Sequence, residues 1–443
     1  MVNDTIVALA TPNMKSAISI IRISGSDSIE MVNEIFSKDL SKVKSHTINY
    51  GYILDGNDKI DEVLVSVFKG PKSFTAEDVV EINSHGGIAI TRKVLNLVLS
   101  KGARLANPGE FTQRAYLNNR IDMLEVEAIN DMIDATSDKA SQLAMSGLSR
   151  QTTKLIEEFK EDMLEIIAQV EVNIDYPEYD DVKQLSSEEI KPKLLKFKDK
   201  IDSIIKNSKT STMIRNGIKV AIIGRPNAGK SSLLNAFLEE DKAIVTDIAG
   251  TTRDIVEAEY ILNGVNVVFL DTAGIRETED IVEKIGIEKA YQAKEDADIV
   301  LLIIDSSQAL NDFEQELIEN KDKRVLVVLN KSDLKTKSNI EGISISAINN
   351  DIEELKGAMI EKLDLDIDIS NESLFLSNQR HLALLNQVSD AITSGLEAIE
   401  IEMPTDIIVS DLEDAYSSLQ EILGVKYTDS LLDELFSRFC LGK

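Results

Sequence analysis

Gly224-Arg-Pro-Asn-Ala-Gly-Lys-Ser231 sets two glycines, a lysine and a hydroxyl at the spacing G-x-x-x-x-G-K-[ST]. The chemistry of that spacing is phosphate binding. Gly224 and Gly229 let backbone amides curl around a β-phosphate, which makes Asn227, Ala228, Gly229, Lys230, Ser231 and Ser232 candidate nucleotide contacts. The Lys230 ammonium suits the β- and γ-phosphates, and the Ser231 hydroxyl suits Mg2+. Downstream, Asp271-Thr272-Ala273-Gly274 offers a carboxylate to the Mg2+ shell and a glycine amide to the γ-phosphate. Asn330-Lys331-Ser332-Asp333 follows, and the Asp333 carboxylate can accept from both N1–H and the exocyclic amine of guanine. Two charge-assisted hydrogen bonds of roughly 1.5–3 kcal/mol each are ample to select GTP over ATP. Ser346-Ala347 completes a base pocket through backbone amides.

Two features bear on hydrolysis. The residue after Gly274 is Ile275, where a Ras-like switch carries the glutamine that orients the attacking water. An isoleucine cannot orient water, so a polar group must come from elsewhere. The second feature is Thr246-Asp247-Ile248-Ala249-Gly250-Thr251-Thr252, rich in hydroxyls and backbone carbonyls. Thr252 is a candidate Mg2+ ligand there, and nearby carbonyls could hold a monovalent cation. Arg253 is a candidate arginine finger, although an exposed switch arginine is more often solvated.

The elements that must position these groups alternate between strand and helix. Lys219–Gly224 is a β-branched apolar run with strand character, leading into the phosphate loop and then a helix. Further strands are expected at Val267–Leu270, Ile299–Asp305, Val325–Leu329 and Gly342–Ile345. Long helical patterns flank this α/β segment. Leu124, Ala128, Ile129, Met132 and Ile133 recur at three and four residues, as do Leu155, Phe159, Met163, Ile166 and Ile167. The pattern continues over 187–208 and returns through Leu382, Leu385, Val388 and Ile392. Before residue 118 the texture is of short strands, at Ala17–Ile23, Thr47–Leu54 and Val63–Phe68, with one helix at Ile88–Ser100. The expected organisation is an α+β domain at 1–118, a helical domain split between 119–215 and 368–443, and an inserted α/β P-loop GTPase (Ras-like) domain at 216–367.

Composition bounds the rest. The 443 residues are 43% hydrophobic and 28% charged, the balance of a folded protein. Ile299 to Ile304, the longest apolar run, is far short of the about 20 residues a membrane helix needs. The first residues carry no basic n-region, so no export signal is expected. One cysteine, Cys440, excludes an internal disulfide framework, and with three histidines a zinc site is improbable. A cytoplasmic location is expected. The net charge of −29 argues against a broad electrostatic grip on nucleic acid.

At this point the sequence resembles the MnmE (TrmE) family of tRNA modification GTPases over nearly its whole length. Besides the phosphate loop and Thr246–Thr252, the shared stretches are Ala10-Thr-Pro12, Ile20–Gly25, Pro108-Gly-Glu-Phe-Thr112 and Phe439-Cys-Leu-Gly-Lys443. The resemblance implies a folate-binding N-terminal domain through which two chains form a homodimer. It implies a flavin-dependent partner, MnmG, in a heterotetramer-type complex, and tRNA as substrate. The reaction implied adds an aminomethyl or carboxymethylaminomethyl group to C5 of the wobble uridine. The one-carbon donor would be a tetrahydrofolate derivative, in its 5,10-methylene or 5-formyl form. Residue by residue, the resemblance implies K+ at Asn227, Thr246, Ile248 and Thr251, in the role of an arginine finger, which can be worth about 10³–10⁵ in rate. It implies Glu283 as the group that positions water, answering the problem posed by Ile275. For folate it implies Arg22, Glu81, Arg120 and Lys443. Cys440 stays open between a nucleophile beside Lys443 and a packed residue among Phe436, Phe439 and Leu441.

The sequence departs from the family at Asn13–Ala17, where a glycine-rich loop is replaced by Asn-Met-Lys-Ser-Ala, and at Ile348, where a basic residue is usual. A rival reading, a GTP-gated ribosome-assembly module, calls for a basic RNA-binding domain. Residues 376–443 instead hold 4 Lys/Arg against 12 Asp/Glu.

Overall fold

The computed structural model describes residues 4–175, 187–239, 258–270, 291–334, 340–363, 365, 376, 378–425, 436, 437, 439 and 442. The chain divides into two units, Met1–Asn130 with Gln420–Lys443, and Asp131–Leu419.

In the first unit the elements are β1 (Ile6–Leu9), β2 (Ile18–Ser24), α1 (Ser28–Asn33), β3 (Thr47–Asp55), β4 (Asp58–Phe68), β5 (Val79–His85), α2 (Ile88–Ser100), β6 (Arg104–Leu105), α3 (Glu110–Leu117) and α4 (Met123–Asp134). The strands form one sheet in the order β3-β4-β5-β2-β1-β6, antiparallel except between β1 and β6. Alternation along β2 sends Ile21 and Ile23 into a core with Val65, Val67, Val80 and Ile82, closed by Val94 and Val98 of α2. Arg22 falls on the opposite face, directly across from Glu81 of β5. The helix spans the residues its periodicity predicts. Strand β4 begins five residues before the expected Val63, because Asp58, Lys59, Asp61 and Glu62 surround a single apolar residue, Ile60, and carry too little strand pattern of their own. Pairing with β3 across the Asp55-Gly56 turn extends the strand. A second core joins Ala115, Ile121, Met123 and Val126 to Phe436 and Phe439.

The second unit comprises α5 (Asp138–Gly147), α6 (Gln151–Asp175), α7 (Ser187–Asn216), β7 (Ile218–Gly224), α8 (Lys230–Leu238), β8 (Ala258–Leu262), β9 (Val265–Leu270), β10 (Ile299–Asp305), α9 (Asp312–Glu319), β11 (Val325–Asn330), β12 (Ile343–Ser344), α10 (Glu353–Lys362), α11 (Gln379–Glu400) and α12 (Thr405–Ile422). Its sheet runs β12-β11-β10-β7-β9-β8, parallel except for β8. All seven residues of β10 are buried, as a central strand covered on both faces requires. Alternate residues divide between the faces. Val220, Ile222, Leu301 and Ile303 pack under Leu233, Leu234 and Phe237 of α8. Ala221, Ile223, Val300 and Leu302 face Leu317 of α9. Strand β12 is shorter than expected, covering Ile343–Ser344 only.

The helices outside this sheet pack on one another, among them α7 and α11, which the α/β segment separates in sequence. Phe159 of α6 meets Phe197 of α7 edge-on at 5.3 Å. Ser389 of α11 donates to Asp202 of α7 at 2.6 Å. Helix α5 docks on the β8–β9 hairpin, where the Lys139 amide donates to Gly264 O at 3.2 Å and Asn266 Nδ2 donates to Thr136 Oγ1 at 3.1 Å. Among the described residues no helix is long and apolar enough to cross a membrane.

Candidate functional site

Strand β7 lies between β10 and β9, the place where successive connections leave in opposite directions. In such sheets the crevice at the carboxyl end of that strand is where ligands bind. The loop there is Arg225–Gly229, and it opens α8 with Gly229 at the N-cap and no side-chain cap. The first amides of α8 are thus left without a side-chain acceptor, the arrangement that suits an anion.

Packing fixes both glycines of the loop. A Cβ at Gly224 would lie 2.4 Å from Ile303 O on β10, and one at Gly229 would lie 2.1 Å from Asn330 Nδ2. Gly229 also has φ of +100°, and Asn227, at +63°, is a residue type that tolerates the left-handed region. The Lys230 ammonium folds back over the loop and donates to Gly224 O and Arg225 O, each at 2.8 Å. Burial pulls its pKa below that of an ordinary lysine. Ala228 is buried, while Asn227, Ser231 and Ser232 lie at the exposed rim.

The end of β11 is tied to this loop. Asn330 is buried, with Nδ2 donating to Ala228 O at 2.9 Å and Oδ1 accepting from the Ala347 amide at 3.1 Å. One side-chain amide thereby sets the spacing between the Arg225–Gly229 loop and the turn that Ala347 begins. Asp333 Oδ1 accepts from Ser346 Oγ at 2.8 Å, which holds the carboxylate edge toward the turn that Ala347 begins. Lys331, at φ +64°, pairs through Nζ with Asp305 Oδ2 at 2.8 Å. Burial alone would raise the Asp305 carboxyl. The hydrogen bonds from Lys331 and Ser307 and the lysine's charge outweigh it and hold the pKa at about 2.

Asp305, Arg225 and Glu314 are members of this neighbourhood that sequence reasoning passed over. An aspartate closing an all-apolar strand was the available signal for Asp305. Arg225 Nε donates to Glu314 Oε1 at 2.8 Å, and nothing in either residue's local sequence announces the other. Thr246, Asp247, Ile248, Ala249, Gly250, Thr251, Thr252, Asp271, Thr272, Ala273, Gly274 and Glu283 lie outside the described residues, as do Cys440 and Lys443.

In the first unit three of the four expected folate residues converge. Arg22 Nε donates to Glu81 Oε1 at 2.8 Å and Arg22 Nη1 to Gly442 O at 3.0 Å. The Arg22 guanidinium lies 5.7 Å from the Phe74 ring centre and 5.8 Å from that of Phe111. Arg120 approaches the Phe74 ring at 5.3 Å. Neither ring is in the sequence-derived set: Phe74 lies against both cations, and Phe111 against Arg22. Gly442, at φ +92°, presses against Leu9 O and Ala10, where a Cβ would come within 2.7 Å. That close approach brings residue 442 to Arg22. The Pro108–Thr112 stretch is likewise explained by packing. Phe111 is fully buried, and Glu110 pairs with Arg104 and Arg114.

The family model for the MnmE helical domain matches residues 123–440, and that for the GTP-binding protein TrmE N-terminus matches 5–120. The chain is 45% identical over 455 residues to the tRNA modification GTPase MnmE of Ligilactobacillus salivarius, covering 99% of this chain and 98% of that protein. Against the same enzyme from Streptococcus thermophilus the identity is 44% over 451 residues, with the same coverage. Among solved structures, the G domain of the T. maritima FeoB iron transporter is 27% identical, covering 33% of this chain and 98% of that one, with a TM-score of 0.24.

Proposed function

Since the chain belongs to the MnmE (TrmE) family of tRNA modification GTPases, we propose that its GTPase cycle depends on Mg2+ and K+ and drives modification at C5 of the wobble uridine. Lys230 and the amides of Asn227–Ser232 bind the phosphates, and Asp333 with Ser346 and Ala347 reads guanine. Ser231 and Thr252 hold Mg2+. Asn227, Thr246, Ile248 and Thr251 hold K+, with Glu283 orienting water. When bound, the two cations supply positive charge where negative charge develops on the phosphates.

The modification chemistry takes place in the first unit and with a partner. A tetrahydrofolate derivative binds at Arg22, Glu81, Arg120 and Lys443, two chains pair, and the flavin-dependent MnmG completes the enzyme. The observation that supports this most is the meeting of Arg22 with Glu81, Phe74, Phe111 and Gly442 O. A cation resting on aromatic faces beside a carboxylate offers both a stacking surface and groups of either sign, which a pterin with a carboxylated tail requires.

Two measurements test the proposal. GTP hydrolysis is expected to be fast in K+ and slow in Na+ at equal ionic strength, and equal rates would remove the cation role. Nucleoside mass spectrometry of tRNA from cells lacking the chain should show loss of the aminomethyl-type wobble uridines. Unchanged modification, with the chain instead retained on ribosomes by a GTP analogue, would support the assembly-factor reading.

A further inference from the structure

The Lys230 ammonium rests on two backbone carbonyls, and different devices hold them. Gly224 O belongs to the last residue of β7, pressed against the backbone of β10. Arg225 O is held through its own side chain, which reaches across to Glu314 at the start of α9. Glu314 has no exposed surface. Its Oε1 accepts from Arg225 Nε, and its Oε2 accepts from the Asn311 amide at 3.1 Å, closing the capping box of α9. One carboxylate therefore ties a helix start and the phosphate loop together.

A buried ion pair is a poor source of stability, because desolvation offsets much of the attraction. This pair carries an added cost, since Arg225 Nη2 is buried with no hydrogen-bond partner among the described residues. What such a pair does provide is a fixed register between the segments it joins. Here the register is that of the second loop residue, whose carbonyl holds the lysine, against a helix packed on the far face of the sheet.

We infer that Arg225 and Glu314 are positioning residues of the GTPase: their ion pair fixes the carbonyl that aims the Lys230 ammonium at the nucleotide phosphates. The inference rests on the assignment of Lys230 as the phosphate-binding lysine. Neither residue touches the nucleotide in this scheme. Loss of the pair acts through the placement of Lys230, so nucleotide affinity suffers before turnover does.

The test uses the full chain and compares Arg225→Met, Arg225→Lys, Glu314→Gln, Asn311→Ala and Lys230→Ala. For each, GTP KM, kcat, the Kd of a fluorescent GDP and Tm are measured. Arg225→Met is expected to raise KM and the GDP Kd about tenfold while kcat falls less than about threefold, and Arg225→Lys should recover part of the loss. Asn311→Ala removes one arm of the same capping box without touching the pair, so it should lower Tm and leave KM unchanged. A wild-type KM for Arg225→Met overturns the inference. So does an equal rise in KM for Asn311→Ala, which would make the pair merely structural. Should Arg225→Met fail to fold, Glu314→Gln, which removes the charge but keeps a polar side chain, carries the same comparison. Lys230→Ala with unchanged GTP affinity would instead fail the assignment of Lys230 itself, and the inference with it.

Discussion

Asn330 and Asp305 do their work on the protein before any nucleotide is considered. Both ends of the Asn330 amide bond backbone groups, and Asp305 fixes the lysine that follows Asn330. The two residues together hold the segment Asn330–Lys331 rigid, which an account of direct contacts would overlook. Asp305 makes this rigidity pH-dependent. Its folded pKa of about 2 lies below the ordinary 3.8, so the stabilisation is fully present above the ordinary value and is lost as pH falls through about 2. Asp305→Asn is therefore expected to unfold at lower denaturant concentration near neutrality. The gap to the parent chain should narrow as pH drops from 3.8 toward about 2, and a constant gap over that range would detach the ion pair from stability. The Gly224–Ser231 and Asn330–Asp333 motifs stood out in the sequence because few side chains suit phosphate or guanine chemistry at those spacings. Their supports did not. Lys331 and Asp305 are 26 positions apart, Arg225 and Glu314 are 89 apart, and a lone charge in sequence looks the same whether it is solvated or paired.

At the scale of elements, apolar periodicity marked α2 to the residue and the ends of β2, β3, β7, β9, β10, β11 and β12 to within two, but β1, β5, β6 and β8 were not expected. It also failed at the front of β4, where mostly polar residues form a strand because β3 is alongside, not because of their own pattern. It also could not say why a turn needs glycine, and the two glycines flanking this sheet differ in kind. Gly56, at φ +60° in the β3–β4 turn, has nothing within 4 Å of a would-be Cβ, whereas Gly109, at φ +69° ahead of α3, would set one 2.4 Å from Phe436 O. Gly56→Ala should cost about 1–2 kcal/mol from the left-handed conformation alone. Gly109→Ala adds a backbone collision and should cost distinctly more, lowering Tm further and loosening Phe436 and Phe439 from their core. Equal Tm losses in the two variants would show that the Gly109 contact is easily relieved.

At the scale of the whole molecule, composition and texture separated strand-rich, helical and α/β stretches. They could not assign helices to units, because a buried apolar face does not name its partner. Met123 and Val126 on α4 pack with Phe436 and Phe439, and the Asp202–Ser389 bond crosses 187 positions of sequence. Such pairings are set by three-dimensional complementarity, which a periodicity of three or four residues does not encode.

The return of residues 420–443 to the first unit has a consequence for synthesis. The opening 130 residues leave the ribosome early, yet their second core lacks Phe436 and Phe439, and Arg22 lacks Gly442, until all of Asp131–Leu419 has been made. At roughly 5–20 residues per second that is a wait on the order of tens of seconds. Through that interval Ala115, Met123 and Val126 stand uncovered, so a nascent chain of this protein presents an apolar surface that the finished one hides.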